Sequence, residues 1–160
     1  MRVYHGGTEV VEHSEVSKGR EGLDFGKGFY ITDIRHQAEM WAARMARIRL
    51  GEGIVSVYEF DEMIAKKNYS YKKFDAYDVE WLNFIVANRR GDSFGENYDV
   101  VEGGVANDRV IDTVEAYMSN MMPLEMALKN LSEHQPNNQL CIRNQKVVDE
   151  CLHFVESYKI

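Results

Sequence analysis

Only two of the 160 residues are cysteine, Cys141 and Cys151, and no CxxC pair occurs. This argues against a disulfide framework and against the common zinc motifs. Cys141 lies in an apolar strand-like run and Cys151 at an apolar helix position, the setting of buried thiols in a reducing compartment. No apolar run approaches the ~18 residues that span a bilayer, and the start, Met1-Arg2-Val3-Tyr4-His5-Gly6-Gly7, lacks the apolar core of a signal peptide. A cytoplasmic, soluble chain with no membrane contact is expected. A surplus of cations is also missing: 19 Lys and Arg against 26 Asp and Glu leave a net charge of -7. Non-specific binding to nucleic acid, which needs many basic contacts to phosphate, is therefore disfavoured, although a local basic patch stays open. No repeat, low-complexity segment or linker divides the chain, so one domain over residues 1–160 is expected, long enough to bury a core.

What is present is organised around Asp24-Phe25-Gly26-Lys27-Gly28-Phe29-Tyr30-Ile31-Thr32-Asp33. Gly26 and Gly28 open backbone angles closed to other residues or admit a ligand close to the main chain. Phe29-Tyr30-Ile31 reads as a short strand, and Thr32 or Asp33 as the N-cap of a following helix. In chain order, Arg2 to His5 is a strand ending at Gly6-Gly7, and residues 8–22 form a loop. Ala38, Trp41, Ala42, Met45 and Ile48 fall at helical spacing between Ile34 and Leu50. Ile54 to Phe60 is a strand, and Tyr77, Trp81, Phe84 and Ile85 mark a helix ending near Gly91. Tyr98 to Val101 is strand-like, and helices are expected over Val110 to Met118 and around Leu124 to Leu131. Leu140-Cys141-Ile142 is a late strand, and Val148, Cys151, Leu152 and Val155 place a closing helix. The fold class is α+β.

Three places could carry chemistry. His5 in His5-Gly6-Gly7-Thr8 could bond a ribose hydroxyl, with the glycine backbone free to grip an amide; the alternative is a strand-end histidine that is merely hydrogen-bonded. Gly26-Lys27-Gly28-Phe29-Tyr30 offers a rigid, stackable ring, or is a plain loop-to-strand junction. In Asn138-Gln139, Gln139 could offer a donor and an acceptor to a sugar hydroxyl, or cap the strand. Two further segments invite comparable readings. Asn107, Asp108 and Arg109 form either a loop reaching the cleft, with Asp108 as a second carboxylate, or a helix entry. Lys66-Lys67-Asn68-Tyr69-Ser70-Tyr71-Lys72-Lys73 is the one basic run with interleaved aromatics; it could stack on a nucleic acid, or be a solvated loop or edge strand.

The order and context of His5-Gly6, Gly26-x-Gly28-x-Tyr30 and Asn138-Gln139 resemble ADP-ribosyltransferases of the His-Tyr-Glu branch, that of poly-ADP-ribose polymerases and diphtheria toxin. Two departures stand out: Gly7 intrudes before Thr8, and Gln139 replaces the usual Glu. More narrowly, the chain is similar over nearly residues 1–158 to bacterial proteins filed as a domain of unknown function. These carry the Asp-Phe-Gly-Lys-Gly-Phe-Tyr (24–30), Tyr-Asp-x-Val-x-Gly-x-Val-Ala-Asn-Asp and Asn-Gln motifs. The second pattern is met by residues 98–108 and the third by Asn138-Gln139.

The resemblance implies an ADP-ribosyltransferase-like split antiparallel sheet with flanking helices, and NAD as substrate without a metal. His5, Gly6, Gly7, Thr8, Gly26, Lys27, Gly28, Phe29, Tyr30 and Asn138 would line the NAD cleft. His5 would hold the adenine-side ribose, Gly6 the carboxamide and Tyr30 the nicotinamide ring. Lys27 would lie near the pyrophosphate or face solvent, and Gln139 would meet the nicotinamide ribose. It implies mono-ADP-ribosyl transfer to a protein or nucleic acid by a toxin-like effector, with a possible antitoxin-like partner. Because Gln139 carries no charge, a catalytically silent NAD or ADP-ribose binding module, or an interaction subunit held by a partner, is the alternative.

Overall fold

The structure, a computed structural model, describes residues 1–91, 97–107 and 110–160. The described residues form an α+β fold with two sheets. Sheet A has the order β1 (Arg2–Gly7), β3 (Ile54–Phe60), β7 (Leu152–Lys159), with every pair antiparallel. Sheet B has the order β2 (Phe29–Ile31), β6 (Gln139–Ile142), β5 (Val100–Gly103), β4 (Tyr71–Lys73). Its β2–β6 and β5–β6 pairs are antiparallel and β4–β5 is parallel, so the expected purely antiparallel arrangement holds everywhere but this edge. Among the described residues a single bridge joins the sheets: Tyr4 and Thr32 exchange backbone bonds of 2.8 and 2.9 Å.

Strand alternation sorts the apolar residues into clusters on opposite faces. Val3, Phe29, Ile31, Tyr58, Val100, Leu140 and Ile142 fill one face, closed by α2 (Glu62–Asn68) and α6 (Gln145–Cys151). Phe25, Trp81, Leu82, Val101, Val114, Leu131 and Cys141 fill the other face of sheet B, under α3 (Val79–Arg90), α4 (Ile111–Met118) and α5 (Leu124–Ser132). On the outer face of sheet A, Ala38 and Ala42 of α1 (Arg35–Arg49) pack on Val55, Tyr4 and Tyr158. Only these two small residues of the α1 stripe are fully buried, whereas Ile48 is 65% exposed. Among the described residues no helix is long and apolar enough to cross a membrane.

Two expectations fail for identifiable reasons. The closing helix stops at Cys151, and residues 152–159 turn into β7. Val148, Cys151, Leu152 and Val155 fit a helical period, but Leu152 and Phe154 are needed on the inner face, opposite Phe60 and Tyr58. The cap expected at Thr32 or Asp33 also fails: Ile34 stands at the entry to α1 without a side-chain cap, and the Thr32 hydroxyl donates to the Asn138 carbonyl. The basic run 66–73 divides between the end of α2 and β4, an edge strand as its plainer reading expected. Asp61 starts α2 by accepting from the Ile64 N–H, a cap hidden in the sequence behind the strand that precedes it.

Candidate functional site

The junction of the two sheets positions the expected residues. Along β1 the odd residues bond β3, as Met1 does to Phe60, so the N–H and C=O of Tyr4 turn to Thr32. Those of Gly6 turn the same way, but β1 and β2 have splayed apart by then. The carbonyl of Tyr30, the register partner Gly6 would have had, is instead met by His5 Nδ1 at 2.8 Å. Gly6 is buried, and neither its N–H nor its C=O has a hydrogen-bond partner among the described residues. α1 closes the opening from one side. A Cβ on Gly6 would lie 2.0 Å from the Ala38 carbonyl oxygen, so only glycine lets the helix this close.

A carbonyl only accepts, so the 2.8 Å bond places the proton of neutral His5 on Nδ1 and leaves Nε2 an acceptor. Burial lowers the His5 pKa from its ordinary value, against the raising effect of the Tyr30 carbonyl. The imidazole packs on Phe29 with ring centroids 4.5 Å apart. Tyr30, the next residue, leaves β2 on the opposite face, toward Cys141 and Val101. His5 and Tyr30 are thus joined through backbone, and their rings stand on two sides of the β1–β2 opening rather than in one pocket.

The glycine turn holds Tyr30 rigid. Its hydroxyl donates to the Gly26 carbonyl at 2.6 Å and accepts from the Phe25 N–H at 3.1 Å. Desolvation is the main force raising its pKa, so it stays a neutral phenol. Gly26 has φ 81°, a left-handed conformation that favours glycine. Gly28 is buried against β6, and half-exposed Lys27 lies 3.7 Å from Glu21. Thr8 is turned away toward α1, where its hydroxyl accepts from Arg49 at 3.3 Å.

Register puts Gln139 on the Tyr30 face, opposite Gly103 and two residues before Cys141. It is 4% exposed, and its side chain makes no hydrogen bond among the described residues. Asn138 faces the other way: its Nδ2 reaches Asp33 Oδ1 at 3.0 Å and Glu102 Oε1 at 3.2 Å, and its carbonyl accepts from Thr32 Oγ1 at 2.7 Å. Glu102, 3% exposed, shares that face with Leu140 and accepts from the Tyr71 hydroxyl at 2.6 Å. Burial pushes the Cys141 thiol up to about 12, which leaves it protonated and unreactive.

Residues 104–106 are tied backbone group by backbone group. Trp81 Nε1 donates to the Gly104 carbonyl and the Tyr77 hydroxyl to that of Val105. Asn137 Oδ1 accepts from the Val105 N–H, and Asp24 Oδ2 accepts from the Ala106 N–H at 2.8 Å. The other oxygen of Asp24 meets Arg89 at 2.6 Å. Asn107 enters α4, its carbonyl and Oδ1 accepting from the first N–H groups of that helix. Asp108 and Arg109 lie outside the described residues. In the basic run, Lys66 faces Glu62, Lys72 faces Glu80 and Lys73 lies 3.5 Å from Glu102. Three of its four lysines are therefore neutralised locally.

Sequence reasoning missed Asp24 as the tie between the glycine turn, α3 and the 104–106 loop. It also missed Arg143, whose guanidinium lies against Gly26. Period-two spacing from Gln139 through Cys141 was the available signal for Arg143, but Arg143 stands one residue beyond the apolar run that marks the strand.

The fold and site define an α+β protein with a partner-poor opening at the one bridge between two sheets. The chain belongs to the DUF3990 family, described as a protein of unknown function, whose model matches residues 1–154. No curated protein and no solved structure matches it.

Proposed function

We propose that this protein binds NAD across the β1–β2 opening and acts as a mono-ADP-ribosyltransferase of the His-Tyr-Glu type. The observation that carries this reading is the Gly6 backbone. Its N–H and C=O, buried, adjacent and without partners, are the donor and acceptor that a primary carboxamide requires. The Tyr30 ring, on the Cys141 side of the opening, is fixed through its hydroxyl and partly exposed, suited to stacking on the nicotinamide. His5 Nε2, an acceptor, suits a ribose hydroxyl on the other side of the opening. A bent dinucleotide reaches both, since their rings serve its two ends. The arrangement of two sheets meeting at one bridge is in keeping with an ADP-ribosyltransferase-like fold.

On this reading the bond between the nicotinamide nitrogen and the ribose breaks with its electron pair leaving on nicotinamide. The acceptor's lone pair forms the new bond to that carbon, and the acceptor's proton passes to water. Gln139 bonds a ribose hydroxyl but supplies no negative charge, and absence of one preorganised group costs ~3–4 kcal/mol of transition-state stabilisation. Slow transfer of single ADP-ribose units to a protein or nucleic acid follows, in keeping with a toxin-like effector held by an antitoxin-like partner. A second reading, a silent NAD or ADP-ribose binding module, is favoured by one specific fact: Glu102 points to the opposite face of β5 from Gln139 and cannot stand in for the missing anion.

Calorimetry with NAD and nicotinamide release by wild type, Gln139→Glu and Gln139→Ala decide between these. Transfer chemistry expects NAD binding, slow release by wild type, faster release by Gln139→Glu and none gained by Gln139→Ala. Binding without release in all three leaves the module, and no binding removes both readings.

A further inference from the structure

We propose that Arg143, laid across the glycine turn beside Tyr30, is the residue that takes a phosphate of the bound nucleotide. The proposal rests on the NAD reading for the identity of the ligand. The protein has seven more anions than cations, yet no carboxylate of the described residues lies within ion-pair distance of Arg143, and its side chain makes no hydrogen bond among them. The other described arginines without a carboxylate partner, Arg20, Arg44, Arg47, Arg49 and Arg90, are exposed, whereas Arg143 is half-buried. The Arg143 charge acts on Asp99 without forming an ion pair, and Asp24 and Asp99 have other partners. Asp24 holds Arg89 and the Ala106 N–H. Asp99 accepts from Ser70 and from Asn144.

The guanidinium is not dangling in solvent. Its carbon and Nη2 lie 3.7 and 3.6 Å from the point where a Cβ of Gly26 would stand, and Gly26 is the residue whose carbonyl receives the Tyr30 hydroxyl. Asn88 Oδ1 approaches the same point at 2.9 Å from α3. The backbone N–H of Arg143 is fixed to the Asp99 carbonyl at 2.8 Å, which anchors the root of the side chain. A planar guanidinium with open donors, held on a glycine turn next to a stacking ring, matches the oxygens of a phosphate in pairs. The turn's Lys27 is engaged with Glu21, so Arg143 is the unengaged cation there.

The test is calorimetry of wild type, Arg143→Gln and Arg143→Lys with NAD, with nicotinamide and with inorganic pyrophosphate. Arg143→Gln is expected to weaken NAD and pyrophosphate by about tenfold or more and leave nicotinamide unchanged. Arg143→Lys restores part of the loss because charge returns without the paired donors. Equal NAD affinity in wild type and Arg143→Gln overturns the proposal. If wild type binds neither NAD nor nicotinamide, the NAD reading falls by itself; pyrophosphate binding lost in Arg143→Gln then still supports the anion site, and its absence in wild type overturns that too. Should Arg143→Gln fail to fold, Arg143→Lys decides alone, with unchanged pyrophosphate and NAD affinity counting against the paired-donor role.

Discussion

The two faces of the β5–β6 pair carry equally buried polar groups in opposite states. Glu102 and Gln139 are 3% and 4% exposed. Glu102 receives the Tyr71 hydroxyl at 2.6 Å and the Asn138 amide at 3.2 Å, with Lys73 at 3.5 Å. Gln139 receives nothing among the described residues, and along the same face Arg143 has no ion pair, although its charge acts on Asp99. Among the described residues the buried side-chain atom left without a partner is Gln37 Nε2, so the Gln139 amide is not sealed from water, and the two faces differ in how their polar groups are bonded rather than in an unmet desolvation cost. The difference separates polar residues bonded within the fold from those that are not.

The most drastic way to break the comparison is Gly6→Ala. The new Cβ would meet helix backbone at 2.0 Å, so α1 must shift. Stability is expected to fall by about 3 kcal/mol, the upper end for overpacking, in a urea titration. A variant as stable as wild type would show that α1 does not close the opening.

Next in size is an opposed pair. Glu102→Gln weakens the Tyr71 bond and the Lys73 attraction and is expected to cost ~1–3 kcal/mol with NAD affinity unchanged. Gln139→Leu breaks no hydrogen bond among the described residues and is expected to leave stability about equal, while NAD cleavage is lost. If both variants destabilise the protein alike, the two faces are not different in kind.

Tyr30 can be split by atom. Tyr30→Phe gives up the bonds to Gly26 and Phe25 and loses ~1 kcal/mol of stability, yet keeps the stacking ring and NAD affinity. Tyr30→Ala also weakens NAD binding by roughly 1–3 kcal/mol. Calorimetry finding the two variants equal toward NAD removes the ring from the site.

The smallest effect concerns pH. The folded-state pKa of His5 is lowered by burial, so between that value and the unfolded value near 6.5 the unfolded chain binds more protons. This part of the stability is complete above about pH 6.5 and is lost as pH falls toward the lowered pKa. His5→Gln should flatten the melting temperature in that range relative to wild type.

Much of this was legible in the sequence because the periods are local. Phe29-Tyr30-Ile31, Ile54 to Phe60 and the α1 stripe match their elements closely. The order of His5, Gly6, Tyr30 and Gln139 along the chain suggested one cleft, but the His5 ring packs on Phe29 while Tyr30 packs on the opposite face. What stayed hidden depends on pairing between distant segments. No local signal tells that β1 and β2 splay after the Tyr4–Thr32 bridge, which is what separates the His5 and Tyr30 rings and frees Gly6. The pairing of Lys66, Lys72 and Lys73 with acids is likewise set by the docking of α2, α3 and β5, so the basic run looks more cationic in sequence than it is in space.

The placement of β7 bears on how the chain reaches this state. β3 pairs with β1 across one loop-and-helix excursion, but its other edge waits for residues roughly a hundred positions later, a separation that raises contact order and slows folding. While the chain emerges from the ribosome, Val55, Val57 and Tyr58 therefore sit in a strand with one side open, a ready template for pairing with another chain. Completion of sheet A by β7 is the step that retires this hazard. A chain stalled or cut before Leu152 would be expected to aggregate rather than persist as a looser version of the same protein.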